Sequence, residues 1–273
     1  MPKTLRVAIA QIAPVLGDVA GNALRMIDTV RSLRGAHGPL DLVVFPELAL
    51  TGYDGRSDFW SLSAQALAAL PGLQQTAQDA KVHLAVGLPE RHPKHGGVIY
   101  DSLLLIAPDG ALRPMYRKVH LWQEEQLYFA DGAEFRLAQI GGATVGLGIC
   151  WDVAFPEWGR ASALAGATVL LVASAWDEPS IGYWDTLLRA RAIENGCWVI
   201  ACNRAGSEGA LNFGGHSQIV TPTGDVLAIL DNSQEGTLFA QLDLDAVGSI
   251  RFSDLTGLRD RKPAVYAKTP AGP

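Results

Sequence analysis

The sequence predicts an α/β layered fold in which two sheets pack face to face with helices outside. Short runs rich in Val, Ile and Leu alternate with amphipathic segments of helical length, the pattern of strand–helix units. Two stretches, L-L-L-I-A-P-D-G-A-L-R around Pro108 and S-Q-I-V-T-P-T-G-D-V-L around Pro222, read as β-hairpins with similar turns. The 273 residues are 48% hydrophobic, enough for an extensive core.

Residues 6–12 form the first expected strand, followed by a helix over 22–33, a strand over 42–45, a helical stretch over 58–80 and a strand over 82–88. In the second half, a strand over 144–150 precedes a helix over about 156–165, a strand over 168–173, a helix over 183–195 and a strand over 198–202. Pro156 and Gly196 stand where helix start and stop signals belong. Each half thus contains strand, helix, strand and hairpin, so the chain reads as two related halves. No Ser/Gly-rich linker or charge block divides them, and a single domain over residues 1–273 is expected.

Composition narrows the function classes. A net charge of -6 with scattered basic residues gives no electrostatic footprint for nucleic acid or an anionic membrane, and neither partner is expected. Gly, Pro or charged residues interrupt every apolar run before the roughly 20 residues that a spanning helix needs. The apolar N-terminal stretch is broken by Gln11 and Pro14, so it reads as a strand of a soluble cytoplasmic protein. Cys150, Cys197 and Cys202 are too few and wrongly spaced for a disulfide framework or a C-x-x-C zinc site, which fits a reducing compartment. Pro93 argues against His92 and His95 as a helical metal-ligand pair and for a solvated loop.

Three segments place a reactive side chain at or near the end of an apolar strand, the edge where α/β folds bind ligands. D-L-V-V-F-P-E carries Glu47, M-Y-R-K-V-H-L-W carries Lys118, and V-G-L-G-I-C-W-D-V-A-F-P-E carries Cys150. A carboxylate, an ammonium and a thiol together suit acyl transfer: base, oxyanion partner and nucleophile. Singly, each has a plainer reading as a surface charge or a small buried hydrophobe. The glycines of G-G-A-T-V-G-L-G precede a cysteine instead of opening a helix, so they read as close packing beside the nucleophile. No P-loop and no G-x-S-x-G serine-hydrolase motif occurs.

The strings F-P-E-x-x-x-T-G-Y, Y-R-K-x-H-L and G-x-x-I-C-W-D-x-x-F-P-E, in this order, resemble the Glu, Lys and Cys motifs of the nitrilase-like carbon–nitrogen hydrolases. The resemblance extends from A-Q-I-A-P through G-G-H-S to the T-P-T-G turn, nearly the whole chain. It implies a four-layer αββα sandwich. Glu47 is then the general base, Lys118 the oxyanion stabiliser and Cys150 the nucleophile, with the Trp151 N–H completing the oxyanion hole. The family's second glutamate falls on Glu125 of E-E-Q-L-Y-F-A-D-G, with Glu124 as the adjacent alternative, and orients Lys118 and the substrate.

The resemblance further implies hydrolysis of a small amide through a thioester, without metal or organic cofactor, by a homodimer or larger assembly. An N-carbamoyl amine hydrolase and a nitrilase use the same trio, and a non-catalytic binding or redox-sensing protein is the alternative from another class. Tyr53, Trp122, Trp151, Phe155 and Trp176 follow the motifs closely and are candidate walls of the acyl pocket, which favours a compact apolar or aromatic acyl group over a highly charged one. His120 is open between facing the site and supporting it. Cys197 and Cys202 read as core packing, and Arg189 and Arg191 as braces of a helix or a subunit interface.

Overall fold

Alternation of side chains along the strands sorts the apolar residues into two cores. Leu5, Val7 and Ile9 join Leu42, Val44, Ala85, Leu103 and Leu105 in one cluster. The residues between them, Ala8, Ala10, Val43, Leu84, Val86, Leu104 and Ile106, join a different one. The computed structural model describes residues 3–54, 58–251, 253 and 257–268.

The first sheet holds, in spatial order, β14 (Gly236–Asp243), β1 (Thr4–Gln11), β2 (Leu42–Val44), β3 (His83–Arg91), β4 (Ile99–Ile106) and β5 (Tyr116–Arg117). The second holds β13 (Val226–Ile229), β12 (Gln218–Val220), β9 (Trp198–Asn203), β8 (Val169–Ser174), β7 (Ala143–Ile149) and β6 (Leu137–Ile140). A small ribbon, β10 (Ser207–Glu208) with β11 (Leu211–Asn212), stands apart. In the first sheet β1, β2 and β3 are mutually parallel and flanked by antiparallel neighbours. The second repeats this plan with β7, β8 and β9. The two expected hairpin turns also match: Ala107 N donates to Ala111 O at 2.9 Å and Thr221 N to Asp225 O at 2.9 Å. The related halves read from the sequence are therefore present as two sheets of one topology.

The cluster with Val7 and Leu103 continues into Val145, Leu147 and Ile149 of the second sheet, so the sheets pack face to face. Helices α1 (Val19–His37) and α2 (Phe59–Ala80) cover the other face of the first sheet through Met26, Val30, Leu70 and Leu73. Helices α3 (Pro156–Leu164) and α4 (Ile181–Asn195) cover the second. The expected four-layer αββα sandwich is the observed fold. Close packing explains the glycines of β7: a Cβ at Gly148 would lie 2.5 Å from the Trp158 ring of α3. Helix α1 begins three residues earlier than its apolar pattern suggests, because Asp18 Oδ1 accepts the Gly21 N–H at 3.0 Å and caps the first turn. The hairpin around Pro108 is shorter than expected, its second arm reduced to the single bridge between Ile106 and Leu112. Among the described residues, no helix is long and apolar enough to cross a membrane.

Candidate active site

Each of the three motifs leaves its strand through a tight turn. After β2 the chain turns at Glu47, and Leu48 takes a left-handed φ of 48°. This turn packs on Gly87 of β3, where a Cβ would lie 2.4 Å from Pro46 O and 2.5 Å from Leu48 N. Lys118 follows β5 and is tied at both ends, its N–H to Asp101 O at 2.9 Å and its carbonyl to Gly132 N at 2.7 Å. Cys150 lies one residue beyond β7 and opens the 3₁₀ turn Cys150–Ala154 with a left-handed φ of 43°. Such a backbone costs of order 1–3 kcal/mol for a residue with a Cβ and persists where its surroundings hold it.

Asp152 is the principal restraint on that turn. Its Oδ2 accepts the Ile149 N–H at 2.9 Å and the Tyr116 hydroxyl at 2.7 Å. Its Oδ1 accepts the His120 N–H at 3.0 Å and lies 2.8 Å from His120 Nδ1. One buried carboxylate thus ties the Cys150 turn to the strand and loop that carry Lys118. Arg191 of α4 holds the far end, donating to Val153 O at 2.9 Å and Ala154 O at 3.2 Å. It braces this turn within the chain, and Arg189 braces the second hairpin by donating to Gly224 O at 2.9 Å.

The charged groups converge between the sheets. Lys118 Nζ donates to Glu47 Oε1 at 2.6 Å and to Glu125 Oε1 at 2.7 Å, and lies 3.7 Å from Asp101 Oδ2. The remaining oxygens of both glutamates are also held: Glu47 Oε2 accepts the Ala175 N–H at 2.6 Å, and Glu125 Oε2 accepts the Trp122 N–H at 2.7 Å. Tyr53 donates its hydroxyl to Glu125 Oε1 at 2.6 Å. Glu125 is buried and Glu124 exposed, so Glu125 is the one of the two adjacent acids that reaches Lys118. Oxygens of Glu47, Asp101 and Glu125 lie within 4.8 Å of one another, a carboxylate set able to hold a metal, but the cation at its centre is the Lys118 ammonium.

Burial governs the protonation states here. It pulls the Lys118 ammonium down, but the charges of Glu125 and Glu47 outweigh it and leave the group well above the ordinary lysine value. Burial pushes the Cys150 thiol well up, the Glu47 charge adds to this, and Lys118 opposes it. The Cys150 sulfur is thereby favoured as the neutral thiol. Burial and then the Glu47 charge push Asp101 well above the aspartate range. Glu125 is raised by burial against the pull of Lys118.

Cys150 opens into a cavity of about 210 Å³, whose wall includes Tyr53, Trp122, Trp151 and Trp176, four of the five expected aromatics. Phe155 is the correction. It does not line this cavity; its ring stacks on His120 at 3.8 Å, because the turn after Cys150 carries it back over the Asp152 brace. His120 takes the supporting role of its two readings. Cys197 and Cys202 are fully buried and pack as expected, Cys202 Sγ lying 3.5 Å from both Ala10 O and Val44 O. His92 belongs to the loop, its Nδ1 accepting the N–H groups of Lys94 and His95 at 3.0 Å.

Other contributors were not foreseen. Asp101 shares the inward face of β4 with Leu103 and Leu105, and an acid on an apolar stripe was the signal for it. Phe213, Tyr183 and Asp177 join the cavity wall from turns and a helix start that carry no such signal. Arg204 and Glu208 hold this wall from behind. Arg204 donates to Glu208 at 2.8 Å and lies 4.0 Å over the Phe213 ring, while Glu208 accepts the Tyr53 N–H at 2.8 Å.

An αββα sandwich whose facing sheets bring a thiol to a buried ammonium is the plan of an enzyme, a hydrolase of the nitrilase superfamily. The chain belongs to the carbon–nitrogen hydrolase family: the profile described as "Carbon-nitrogen hydrolase" matches residues 6–252. A probable nitrilase of Schizosaccharomyces pombe is 35% identical over 264 residues, 96% of this chain and 97% of that protein. A 2-oxoglutaramate amidase of Bacillus subtilis is 36% identical over 215 residues, 78% of this chain and 82% of that protein. Among solved structures, a mutant of the amidase from Nesterenkonia sp. AN1 superposes with a TM-score of 0.83 at 30% identity, covering 97% of each chain. That structure shows covalent addition of the acetamide moiety of fluoroacetamide at the active-site cysteine. The chain is therefore a hydrolase of C–N bonds, as the three sequence motifs led one to expect.

Proposed function

We propose that this enzyme hydrolyses a small amide to a carboxylic acid and ammonia, with Cys150 as nucleophile, Glu47 as general base and acid, and Lys118 as the cation facing the oxyanion. The observation that carries this reading is the fixed contact of Lys118 Nζ with Glu47 at 2.6 Å and Glu125 at 2.7 Å, beneath a cavity that Cys150 enters. In the first half-reaction Glu47 takes the thiol proton as sulfur bonds to the amide carbon. The resulting oxyanion faces Lys118 and the Trp151 N–H. Glu47 returns the proton to nitrogen, the C–N bond breaks, and ammonia leaves a thioester on Cys150. In the second, water gives a proton to Glu47 and bonds to the same carbon; the C–S bond breaks and the sulfur recovers the proton.

Lys118 keeps its own proton throughout, since its neighbours hold it well above the ordinary lysine value. Glu125 receives no proton in this scheme. It fixes Lys118 and, through the Tyr53 hydroxyl, one wall of the cavity. The amidase names among the relatives and the cysteine adduct in the Nesterenkonia structure support the amide reading. The same resemblance carries a homo-oligomer and a cytoplasmic setting as parts of the proposal, and light scattering tests the first. The substrate reading is tested by ammonia release from a panel of amides, N-carbamoyl amines and nitriles of matched carbon skeleton. Turnover of the amides is expected; turnover of nitriles or carbamoyl compounds with none of the amides would overturn it.

A further inference from the structure

The cavity that Cys150 enters is walled mainly by aromatic rings. Ring centroids of Trp151 and Trp176 are 5.6 Å apart, and those of Trp176 and Tyr183 6.2 Å. Phe213 is set against them by an isolated β-bridge to Asp177, with Gly214 N donating to Trp176 O at 3.0 Å. This bridge engages the Asp177 backbone and leaves its side chain to be placed by Ser180, whose hydroxyl donates to the carboxylate and which lines the same cavity. Asp177 is the single charged residue among the described residues of this wall. A neighbouring cavity shares Tyr53, Trp122 and Leu211 with it; there Glu124 and Asp54 add acidic side chains, and no lysine or arginine is among the described lining residues.

A half-buried acidic residue in a wall built mainly from aromatic residues has a clear chemical preference. Aromatic faces attract a cation through their quadrupole, and the carboxylate attracts it through its charge. An apolar tail would desolvate the carboxylate while offering it nothing in return. A tail ending in a carboxylate would meet a like charge, with no described cation in the wall to receive it. A primary alkylamine, like the lysine side chain, is protonated at neutral pH and satisfies both the rings and the acid.

Resting on the amidase reading above, we infer that the preferred substrate is an amide whose acyl chain ends in a protonated amine, and that Asp177 is the residue that selects it. Asp177 binds the distal end of the substrate and takes no part in proton transfer at the amide. The preference is set by the pocket of this chain and is separate from the Glu47, Lys118 and Cys150 chemistry.

Three amides of nearly equal length separate the possibilities: γ-aminobutyramide, valeramide and glutaramate, with cationic, neutral and anionic tails. The measurement is kcat/KM for ammonia release by the full chain at neutral pH. Expected is a preference of about tenfold for γ-aminobutyramide over valeramide, equivalent to about 1.4 kcal/mol, with glutaramate slowest. Asp177→Asn should bring the ratio of cationic to neutral substrate close to one, and Asp177→Glu should keep it above one. Turnover of valeramide or glutaramate equal to or faster than γ-aminobutyramide would overturn the inference while leaving the amidase reading in place. So would an unchanged ratio in a folded Asp177→Asn chain. If that variant fails to fold, the wild-type ratio alone decides. No ammonia from any of the three amides would remove the amidase reading and this inference with it.

Discussion

Ala175 N donates to Glu47 Oε2 at 2.6 Å, so the carboxylate that follows β2 of one sheet is fixed by backbone that follows β8 of the other. The second oxygen of Glu47 is bound by Lys118. The proposed base is therefore positioned by both halves of the sandwich, and each of its oxygens has an assigned donor.

Glu47→Gln tests this arrangement. The amide keeps the shape but offers one acceptor where two donors wait, and it cannot carry the proton from sulfur to nitrogen. The expected loss in kcat is about 10²–10⁴-fold, the usual worth of a positioned acid–base group, with cooperative unfolding retained. Activity within a fewfold of wild type would remove Glu47 from the mechanism.

Lys118→Met leaves Glu47, Glu125 and Asp101 facing one another without their cation. Removing one partner of a buried ionic group costs about 3–5 kcal/mol. Urea unfolding should show that loss together with the loss of ammonia release. The pH dependence follows from the same group: its folded pKa is raised, so its stabilisation is complete below the unfolded lysine value and declines only as pH rises through the folded one. The variant's deficit should accordingly be constant across neutral pH and shrink under strongly alkaline conditions.

Asp101→Asn should act in the opposite sense. The folded protein raises this group well above the aspartate range, and neither of its side-chain oxygens has a hydrogen-bond partner among the described residues. A raised carboxyl favours the folded state below the unfolded value, and that advantage is lost as pH rises toward the folded value. A neutral amide of the same shape avoids the loss. Thermal unfolding should give a higher Tm for the variant at neutral pH, with the difference closing as pH falls below about 3.9, the unperturbed aspartate value. A lower Tm at neutral pH would show that the Asp101 charge supports Lys118.

The sequence made much of this plan legible because its signals are periodic or motif-like. Alternation at Leu5, Val7 and Ile9 against Ala8 and Ala10 reports a strand buried on both faces, and Glu47, Lys118 and Cys150 lie in strings of fixed order. The cavity wall was less accessible. Proximity along the chain suggested Phe155, but a turn held by Asp152 sends its ring onto His120. Phe213 is distant in sequence from all three motifs and reaches the wall through a bridge to Asp177 that no local pattern announces. Strands write their partners into their period; turns place side chains through contacts made only after folding.

Intact-mass analysis of the protein quenched during turnover of an amide tests the central proposal most directly. An increase equal to the acyl group, mapped to the peptide containing Cys150 and absent from Cys150→Ala, is predicted together with loss of ammonia release in that variant. Ammonia release that persists in Cys150→Ala, or an adduct carried instead by Cys197 or Cys202, would contradict it.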